Sequence, residues 1–341
     1  MGVAVIGAGS WGTAIAWLLG NKGVDITLWA RDPRIADTIV AEHRNPSYLT
    51  DVVFDPHVSA TTDIERAVSG AEAVIVVTPS HGVRGVAQAM KPFLDADTPV
   101  VSLAKGVEQG TLMRMTQVLE DVLGNRGRLA ALSGPNHAEE VSKGVPSATV
   151  IAAYSEGVGR LVQDLFMAPA FRVYTNPDVI GVELGGASKN VVAVAAGMSD
   201  GLGYGDNTKA TLMTRGLAEM SRLGSHLGAN PLTYMGLAGM GDLIVTCTSR
   251  HSRNRALGEW IARGGTTESY AAETHMVAEG AKSAIAVDDL ARSIGMELPI
   301  THQVRAILYE GHSPSEAGAI LMGRSATDEL HGLGLIDDDE G

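Results

Sequence analysis

The segment GAGSWGTA at residues 7–14 places three glycines in a G-x-G-x-x-G spacing directly after the apolar run Val3–Ile6. This spacing is typical of a loop that binds the phosphates of a dinucleotide. Gly7 would permit a tight turn, Gly9 would let the backbone approach a pyrophosphate, and Gly12 would let a helix pack closely on the strand. The N-terminus of that helix would offer N–H groups and positive charge to the phosphates. The alternative is a plain turn between a strand and a helix.

Two charged residues, Arg31 and Asp32, follow the second predicted strand in the segment WARDP. An acidic residue there can bind the ribose 2′-hydroxyl of NAD, whereas an arginine accommodates the 2′-phosphate of NADP. A third interpretation is a solvated surface pair without a cofactor role. The sequence favours NADP slightly and leaves the choice between NAD(H) and NADP(H) open.

A local concentration of positive charge lies in SRHSRNR, residues 249–255 of an otherwise acidic chain. The planar guanidinium of Arg250, Arg253 or Arg255 can bind a phosphate through two parallel hydrogen bonds. Ser252 and Asn254 add neutral hydrogen-bonding groups beside Arg253. The segment therefore predicts a site for a small phosphate-bearing molecule, or else only the solvated start of a helix.

A single lysine, Lys189, stands in the apolar segment ELGGASKNVVAVAAG. Burial would lower the pKa of this lysine, a second cation such as Lys105 would lower it further, and an acidic neighbour such as Asp242 would raise it. A lysine tuned in this way can stabilise the oxyanion that forms when a ketone accepts a hydride, and can supply its proton. The alternatives are that Lys189 extends to the surface and that Asp242, after the turn-like residues 239–241, caps a helix.

The elements that would position these residues change in type along the chain. The first half alternates strand and helix patterns, with strands predicted at residues 3–6, 25–29, 73–78, 100–104, 129–133, 147–153 and 171–175. Such alternation predicts a mainly parallel, doubly wound sheet with helices on both faces. From Val179 onwards the chain is rich in Ala, Leu, Met and Gly with helical periodicity. We therefore predict an α/β N-terminal Rossmann-like domain at residues 1–181, an all-α C-terminal domain at 182–332, and an acidic tail at 333–341.

The composition limits the functional classes. The chain has 341 residues and a formal net charge of −13, so its overall field would repel nucleic acid and anionic membranes. We predict neither a nucleic-acid nor a membrane partner, since no apolar run looks long enough to span a bilayer. The single cysteine, Cys247, and the lack of closely paired histidines predict neither a disulfide nor a metal site. Together with an N-terminus that begins directly with a strand pattern, these features predict a cytoplasmic protein.

Six motifs in order carry a family resemblance. The chain resembles the bacterial NAD(P)-dependent sn-glycerol-3-phosphate dehydrogenases, and the resemblance extends to the helical region near Gly323. It rests on GAGSWGTA (7–14), LAKGVE (103–108), SGPNHAEEV (133–141), ELGGASKNVVAVAAGMSDGLGYGDNTKA (183–210), LAGMGDLIVTCTSRHSRNR (237–255) and VAEGAKSA (277–284). The resemblance implies reversible hydride transfer between NAD(P)H and dihydroxyacetone phosphate, giving sn-glycerol 3-phosphate, and hence a supply of the glycerol phosphate backbone for phospholipid synthesis.

The resemblance also implies roles for individual residues, with Lys189 as the catalytic lysine. The residues that it implies for the substrate are Lys105, Gly134, Asn136, Lys189, Asp242, Ser252, Arg253 and Asn254. The residues proposed for the cofactor are the loop glycines and those that the resemblance implies. They are Gly7, Gly9, Ser10, Trp11, Gly12, Arg31, Lys105, Ala138, Arg253, Val277 and Glu279. Asn136–His137 depart from the family, whose members commonly have Ser or Thr followed by Phe at this point. An asparagine can still donate a hydrogen bond there.

Two other functions are compatible with these residues. One is an enzyme of the same architecture with another substrate, such as a 3-hydroxyacyl-CoA or a sugar acid. The SRNR segment argues against it, because it suits a small terminal phosphate. The other is a nucleotide-sensing protein without catalysis, against which the presence of Lys189, Asp242 and Lys105 argues. The apolar helical half also predicts a homodimer with a small-molecule substrate.

Overall fold

The computed structural model describes residues 2–274, 278–326 and 329, and within them eight strands form one sheet. The strands are β1 (Gly2–Ile6), β2 (Asp25–Trp29), β3 (Val58–Thr61), β4 (Ala73–Val76), β5 (Val100–Ser102), β6 (Leu129–Ser133), β7 (Ser147–Ala153) and β8 (Phe171–Asn176). Their order is β3-β2-β1-β4-β5-β6-β7-β8, and every neighbouring pair is parallel except β6 and β7. The sequence missed β3, whose four residues VSAT carry no apolar run.

The sheet is buried on both faces, as its continuous apolar strands require. Along β1, Val3 and Val5 belong to one hydrophobic cluster, whereas Ala4 and Ile6 belong to the other. The helices of this part are α1 (Ser10–Gly20), α2 (Pro33–Glu42), α3 (Ile64–Val68), α4 (Val83–Met90), α5 (Met115–Leu123), α6 (Ala138–Val141) and α7 (Glu156–Phe166). Because β2 and β4 pair with opposite edges of β1, the strand order reverses there and creates the crevice at which doubly wound sheets bind ligands. The predicted doubly wound α/β fold is confirmed.

The regular elements described after β8 are all helical, which confirms the predicted all-α second half. They are α8 (Val179–Gly201), α9 (Asp206–His226), α10 (Asp242–Thr248), α11 (Arg253–Ala262), α12 (Thr267–Thr274), α13 (Glu279–Ser293), α14 (Pro299–Tyr309) and α15 (Pro314–Met322), with short 3-10 and π-helical segments between α9 and α10. A Cβ atom at Gly197 of α8 would overlap the carbonyl oxygen of Arg255. Glycine therefore lets the backbones of α8 and α11 approach closely.

Helix α8 corrects one expectation from the sequence. It has 23 residues and is apolar enough to cross a membrane by length and composition, so the expectation that no apolar run is long enough was wrong. However, 94% of its most apolar window is buried inside the protein. These apolar residues are therefore explained by packing within the fold.

The chain divides into two compact units. The first unit comprises the residues up to Lys105 together with Met113–Val179, and the second comprises Gly106–Leu112 together with the residues from Ile180 onwards. Val107 packs in the second unit against Leu184 and Ala187. The assignment of Gly106–Leu112 to the second unit was not predicted. The domain limits at 181 and 332 stay predictions. The predicted acidic tail at 333–341 lies outside the described residues.

Candidate active site

The glycine loop of the first unit connects β1 to α1. Gly7 has φ +121°, a conformation that residues with a side chain rarely adopt. A Cβ atom at Gly12 would overlap the carbonyl oxygen of Gly7, so only glycine lets α1 pack this closely on the loop. By contrast, a Cβ atom at Gly9 would find no neighbouring atom within 4 Å. The space beside Gly9 is open, which is the condition for a phosphate group to approach the backbone there.

The N-terminus of α1 has the features of an anion site. Gly9 occupies the N-cap position in an extended conformation, and no side chain caps the helix. The half-buried Ser10 and Trp11 are the first two residues of the helix. The uncapped N–H groups and the helix dipole favour a negative charge at this position.

The charged residues after β2 have distinct surroundings. Asp32 is the N-cap of α2, where its carboxylate accepts a hydrogen bond of 2.9 Å from the N–H of Arg34. The guanidinium of Arg34 also binds this carboxylate, at 2.8 Å, and holds the pKa of Asp32 below its ordinary value. Arg31 and Arg34 are both exposed. The carboxylate of Asp32 is therefore already bound by Arg34. Arg34 was not identified from the sequence.

Further predicted residues lie at the ends of β5 and β6 in the first unit. Lys105 Nζ donates a hydrogen bond of 3.1 Å to the carbonyl oxygen of Gly134. The side-chain amide of Asn136 donates to the carbonyl oxygen of Ala148 at 2.9 Å. One amide hydrogen of the unusual Asn136 thus binds β7, which limits what this side chain can offer a ligand. Ala138 is buried and begins α6.

In the second unit, the structure brings Lys189 and Asp242 together. Lys189 Nζ lies 2.7 Å from Asp242 Oδ1, and the two side chains are only 7% and 2% exposed. Lys189 Nζ also donates to Thr246 Oγ1 at 2.6 Å. Thr246 in turn donates to the main-chain oxygen of Asp242 at 2.6 Å. Thr246 was missed by the sequence analysis, although its i+4 spacing from Asp242 on a helix was a usable signal.

The position of Asp242 follows from a short π-helical segment, Leu237–Gly241, that runs directly into α10. Gly241 occupies the N-cap position of α10, so Asp242 is the first helical residue rather than the cap. Segments of π-helix are often found at functional sites. The carboxylate of Asp242 binds the Lys189 ammonium. Burying either charge alone would be costly, so the two charges compensate each other in this pair.

The segment SRHSRNR separates into structural and exposed groups. Ser252 is the N-cap of α11 and accepts a hydrogen bond of 3.2 Å from the N–H of Arg255. The Arg255 guanidinium binds Asp200 at 2.7 Å and Glu259 at 2.6 Å, which commits it to the packing of this unit. Arg253 and Arg250 are exposed, at the N-terminal end of α11.

Asn254 connects Asn190 of α8 to the start of α13. Its amide donates to Asn190 Oδ1 at 2.9 Å, and its oxygen accepts from the N–H of Gly280 at 2.8 Å. Asn190 directly follows Lys189 and was not singled out from the sequence. Glu279 is the first residue of α13, whereas Val277 lies outside the described residues.

Other reactive groups give no second site in the part of the chain that the structure describes. No group of three or more His, Cys, Asp or Glu residues could hold a metal ion there. Burial raises the pKa of the Cys247 thiol to about 12, so the reactive thiolate is scarce at neutral pH.

Comparison with known proteins shows which family the chain resembles over its length. Residues 2–158 match the family described as NAD-dependent glycerol-3-phosphate dehydrogenase N-terminus, and residues 178–319 match its C-terminus. A glycerol-3-phosphate dehydrogenase (NAD(P)+) of Anaeromyxobacter dehalogenans is 48% identical over 97% of this chain and 100% of its own length. One from Thermoanaerobacter is 49% identical over 98% of this chain and 100% of its own length. The crystal structure of glycerol-3-phosphate dehydrogenase from Coxiella burnetii has a TM-score of 0.91 at 37% identity, covering 95% of this chain and 99% of that one.

Proposed function

The chain belongs to the NAD-dependent glycerol-3-phosphate dehydrogenase family and is an NAD(P)-dependent oxidoreductase, and on this premise we propose the roles of its residues. We propose that it reduces dihydroxyacetone phosphate reversibly to sn-glycerol 3-phosphate with Lys189 as proton donor and acceptor. The observation that carries the proposal is the buried contact between Lys189, Asp242 and Thr246 in the second unit. Buried ionisable groups with a specific charge partner are concentrated at functional sites, and this supports Lys189 as the group that transfers the proton.

The proton chemistry follows from the charge that develops on the substrate. A nicotinamide cofactor, when bound, would supply the hydride to the carbonyl carbon, and negative charge would then develop on the carbonyl oxygen. The Lys189 ammonium stabilises that charge and donates a proton to the oxygen. Asp242 and Thr246 fix the direction of the ammonium, because each holds it at hydrogen-bond distance. In the reverse reaction the neutral amine accepts the hydroxyl proton.

The phosphate of the substrate is assigned to the start of α11. Arg253 is exposed there and supplies a planar guanidinium, and Ser252 and Asn254 supply neutral hydrogen-bonding groups beside it. The commitment of Arg255 to Asp200 and Glu259 supports Arg253 as the phosphate ligand among the arginines of SRNR. Asp242, Lys105, Gly134 and Asn136 complete the proposed substrate residues.

The cofactor is assigned to the glycine loop and its surroundings, with a preference for NADP(H). The loop and the N-terminus of α1 would hold the pyrophosphate through Gly7, Gly9, Ser10, Trp11 and Gly12. Arg31 and Arg34 would bind the 2′-phosphate, and the engagement of Asp32 by Arg34 supports this preference. Lys105, Ala138, Arg253, Val277 and Glu279 complete the proposed cofactor residues, and no metal is required.

The wider setting is also a proposal. The product would supply the glycerol phosphate backbone for phospholipid synthesis in the cytoplasm, and the net charge of −13 argues against nucleic-acid and membrane partners. Leu232 and Met235 of the second unit are each 66% exposed, which supports burial in a homodimer. Gel filtration that gives the mass of a monomer would contradict the dimer.

The activity is tested by following the oxidation of NADPH and of NADH with dihydroxyacetone phosphate. We expect faster turnover with NADPH, and a kcat lower by about 10²- to 10⁴-fold in Lys189→Ala, the usual range for losing a general acid. Lys143→Ala, which removes an exposed lysine, is the control and should match the parent protein. Binding of both cofactors without oxidation of either would overturn the proposed activity and leave 3-hydroxyacyl-CoA and sugar-acid substrates, or a sensing role, to be examined.

A further inference from the structure

We propose that Asn45, in the loop between α2 and β3, is a positioning residue that sets the glycine loop for the pyrophosphate of the cofactor. Asn45 is fully buried, although its neighbours Arg44 and Pro46 are at least partly exposed. This proposal rests on the assignment of the glycine loop to a dinucleotide and deepens it. It concerns a side chain that lies outside the loop itself.

The side chain of Asn45 is held by hydrogen bonds on both of its polar atoms. Its Nδ2 donates to the carbonyl oxygen of Ala8 at 2.9 Å and to Thr13 Oγ1 at 2.8 Å. Its Oδ1 accepts from the N–H groups of Ser47 and Tyr48 at 3.0 and 3.1 Å. Two donors and one oxygen with two lone pairs are the full capacity of an asparagine side chain. The orientation of this amide is therefore fixed, with the nitrogen towards the glycine loop.

The contact with Ala8 fixes the direction of a peptide plane. The carbonyl of Ala8 and the N–H of Gly9 belong to one trans peptide, so they point in opposite directions. Because the carbonyl points at the buried Asn45 amide, the Gly9 N–H points away from it. A Cβ atom at Gly9 would find no neighbouring atom within 4 Å, so the surroundings of this residue are open to an incoming phosphate.

The contact with Thr13 ties the same amide to the helix. The N–H of Thr13 donates to the carbonyl oxygen of Gly9 at 2.8 Å, which closes the first turn of α1. Asn45 thus binds the residue before Gly9 and the residue whose N–H holds the Gly9 carbonyl. One buried side chain therefore binds the peptide before Gly9 directly and contacts the residue whose N–H binds the peptide after it. Without it, the carbonyl oxygen of the buried Ala8 would lose the hydrogen-bond donor that Asn45 supplies.

Two variants separate the donor half of Asn45 from its acceptor half. Asn45→Asp keeps an oxygen for Ser47 and Tyr48 but has no N–H to offer Ala8, whereas Asn45→Ala removes both halves. Asn21→Ala, which truncates an exposed asparagine at the other end of α1, is the matched control. The dissociation constants of NADPH and of adenosine 2′-phosphate are measured by fluorescence titration for each protein. Adenosine 2′-phosphate carries the adenosine and the 2′-phosphate but no pyrophosphate.

We expect the NADPH dissociation constant to rise by about 5- to 100-fold in Asn45→Asp and Asn45→Ala, the range that corresponds to the loss of one buried hydrogen-bond partner. The constant for adenosine 2′-phosphate should stay unchanged in both, and Asn21→Ala should leave both constants unchanged. The KM for dihydroxyacetone phosphate at saturating NADPH should also be unaffected.

Several results would overturn the proposal. An equal loss for both ligands, or a lower melting temperature with unchanged NADPH binding, would show a structural role only. Failure of both variants to fold would show that Asn45 holds the fold itself. The outcome is separable from the proposed activity, because cofactor binding is measured without turnover. A parent protein that binds NADPH and does not reduce dihydroxyacetone phosphate would refute the activity and leave the role of Asn45 standing.

Discussion

The two units hold their proposed ligands by different means. In the first unit the glycine loop offers main-chain N–H groups. Gly7, Gly9 and Gly12 have no side chains that would crowd the loop or the space beside it. In the second unit the key groups are charged side chains, with Lys189 and Asp242 almost completely buried against each other. The first arrangement depends on space that no side chain fills, and the second depends on charges that cancel. Substitutions in the two units should therefore fail for different physical reasons.

The largest effect is expected from the glycine loop. Gly12→Ala should destabilise the first unit by more than about 4 kcal/mol, which is exceptional for a single substitution, because its Cβ would overlap the Gly7 carbonyl oxygen. Gly9→Ala should fold like the parent protein and lose only NADPH affinity, because its Cβ would occupy open space. Thermal unfolding and NADPH titration of both variants check this contrast. If Gly12→Ala kept the stability of the parent, the close packing of α1 would not be the reason for this glycine.

The next effect tests the buried pair of the second unit. Asp242→Asn leaves the Lys189 charge without its ionised partner, and breaking such a pair typically costs about 3–5 kcal/mol. Urea unfolding of this variant measures the cost, with the exposed Asp206→Asn as the control. Replacement of both partners, Lys189→Met with Asp242→Leu, should recover much of the stability and none of the activity. Equal stability of Asp242→Asn and the parent would mean that the pair contributes to chemistry alone.

These two regions also differ in how far the sequence could predict them. The spacing of three glycines in eight residues is local, so the loop and its strand–turn–helix setting were predictable, and the doubly wound fold was confirmed. Lys189 and Asp242 are 53 positions apart, and the local sequence around either residue does not show that the two side chains meet. Thr246, Asn190, Arg34 and Asn45 were not identified from the sequence because their contacts are specific to the folded chain and leave no motif of their own. The assignment of residues 106–112 to the second unit was also missed, because the sequence of a short segment does not indicate which hydrophobic core it packs against.

A smaller effect is expected where the second unit meets solvent. Arg253→Ala should raise the KM for dihydroxyacetone phosphate by about 30-fold or more at saturating NADPH, which corresponds to about 2–5 kcal/mol for a charge pair with phosphate. Arg250→Ala, which removes another exposed arginine of the same segment, should change the KM little. Steady-state kinetics of both variants measure the difference. Equal increases in the two variants would point to a diffuse positive field instead of one bound phosphate.

The smallest effect concerns Glu219, a buried carboxylate of the second unit that is held by the main chain. Its oxygens accept hydrogen bonds of 2.6 and 3.2 Å from the N–H groups of Ile300 and Thr301 at the start of α14. Burial nevertheless raises the pKa of Glu219 to about 7, from an ordinary value of 4.5. Between these values the folded protein binds more protons than the unfolded chain. Stability should therefore fall as pH rises through this window, by at most about 1.4 kcal/mol per pH unit.

Glu219→Gln should remove this dependence, and urea unfolding from about pH 5 to about pH 8 measures the difference from the parent protein. If the difference in the free energy of unfolding between the variant and the parent stays constant over this range, the N–H groups of α14 offset the cost of burying the Glu219 charge. A helix N-terminus in the second unit would then hold an anion as readily as we propose for α1 in the first. A difference that changes with pH would mean that the main chain alone does not stabilise a fully buried charge. The carboxylate of Asp242 is then what allows the Lys189 ammonium to be buried. The glycine loop, by contrast, can bind an anion through N–H groups alone because the surroundings of Gly9 are open.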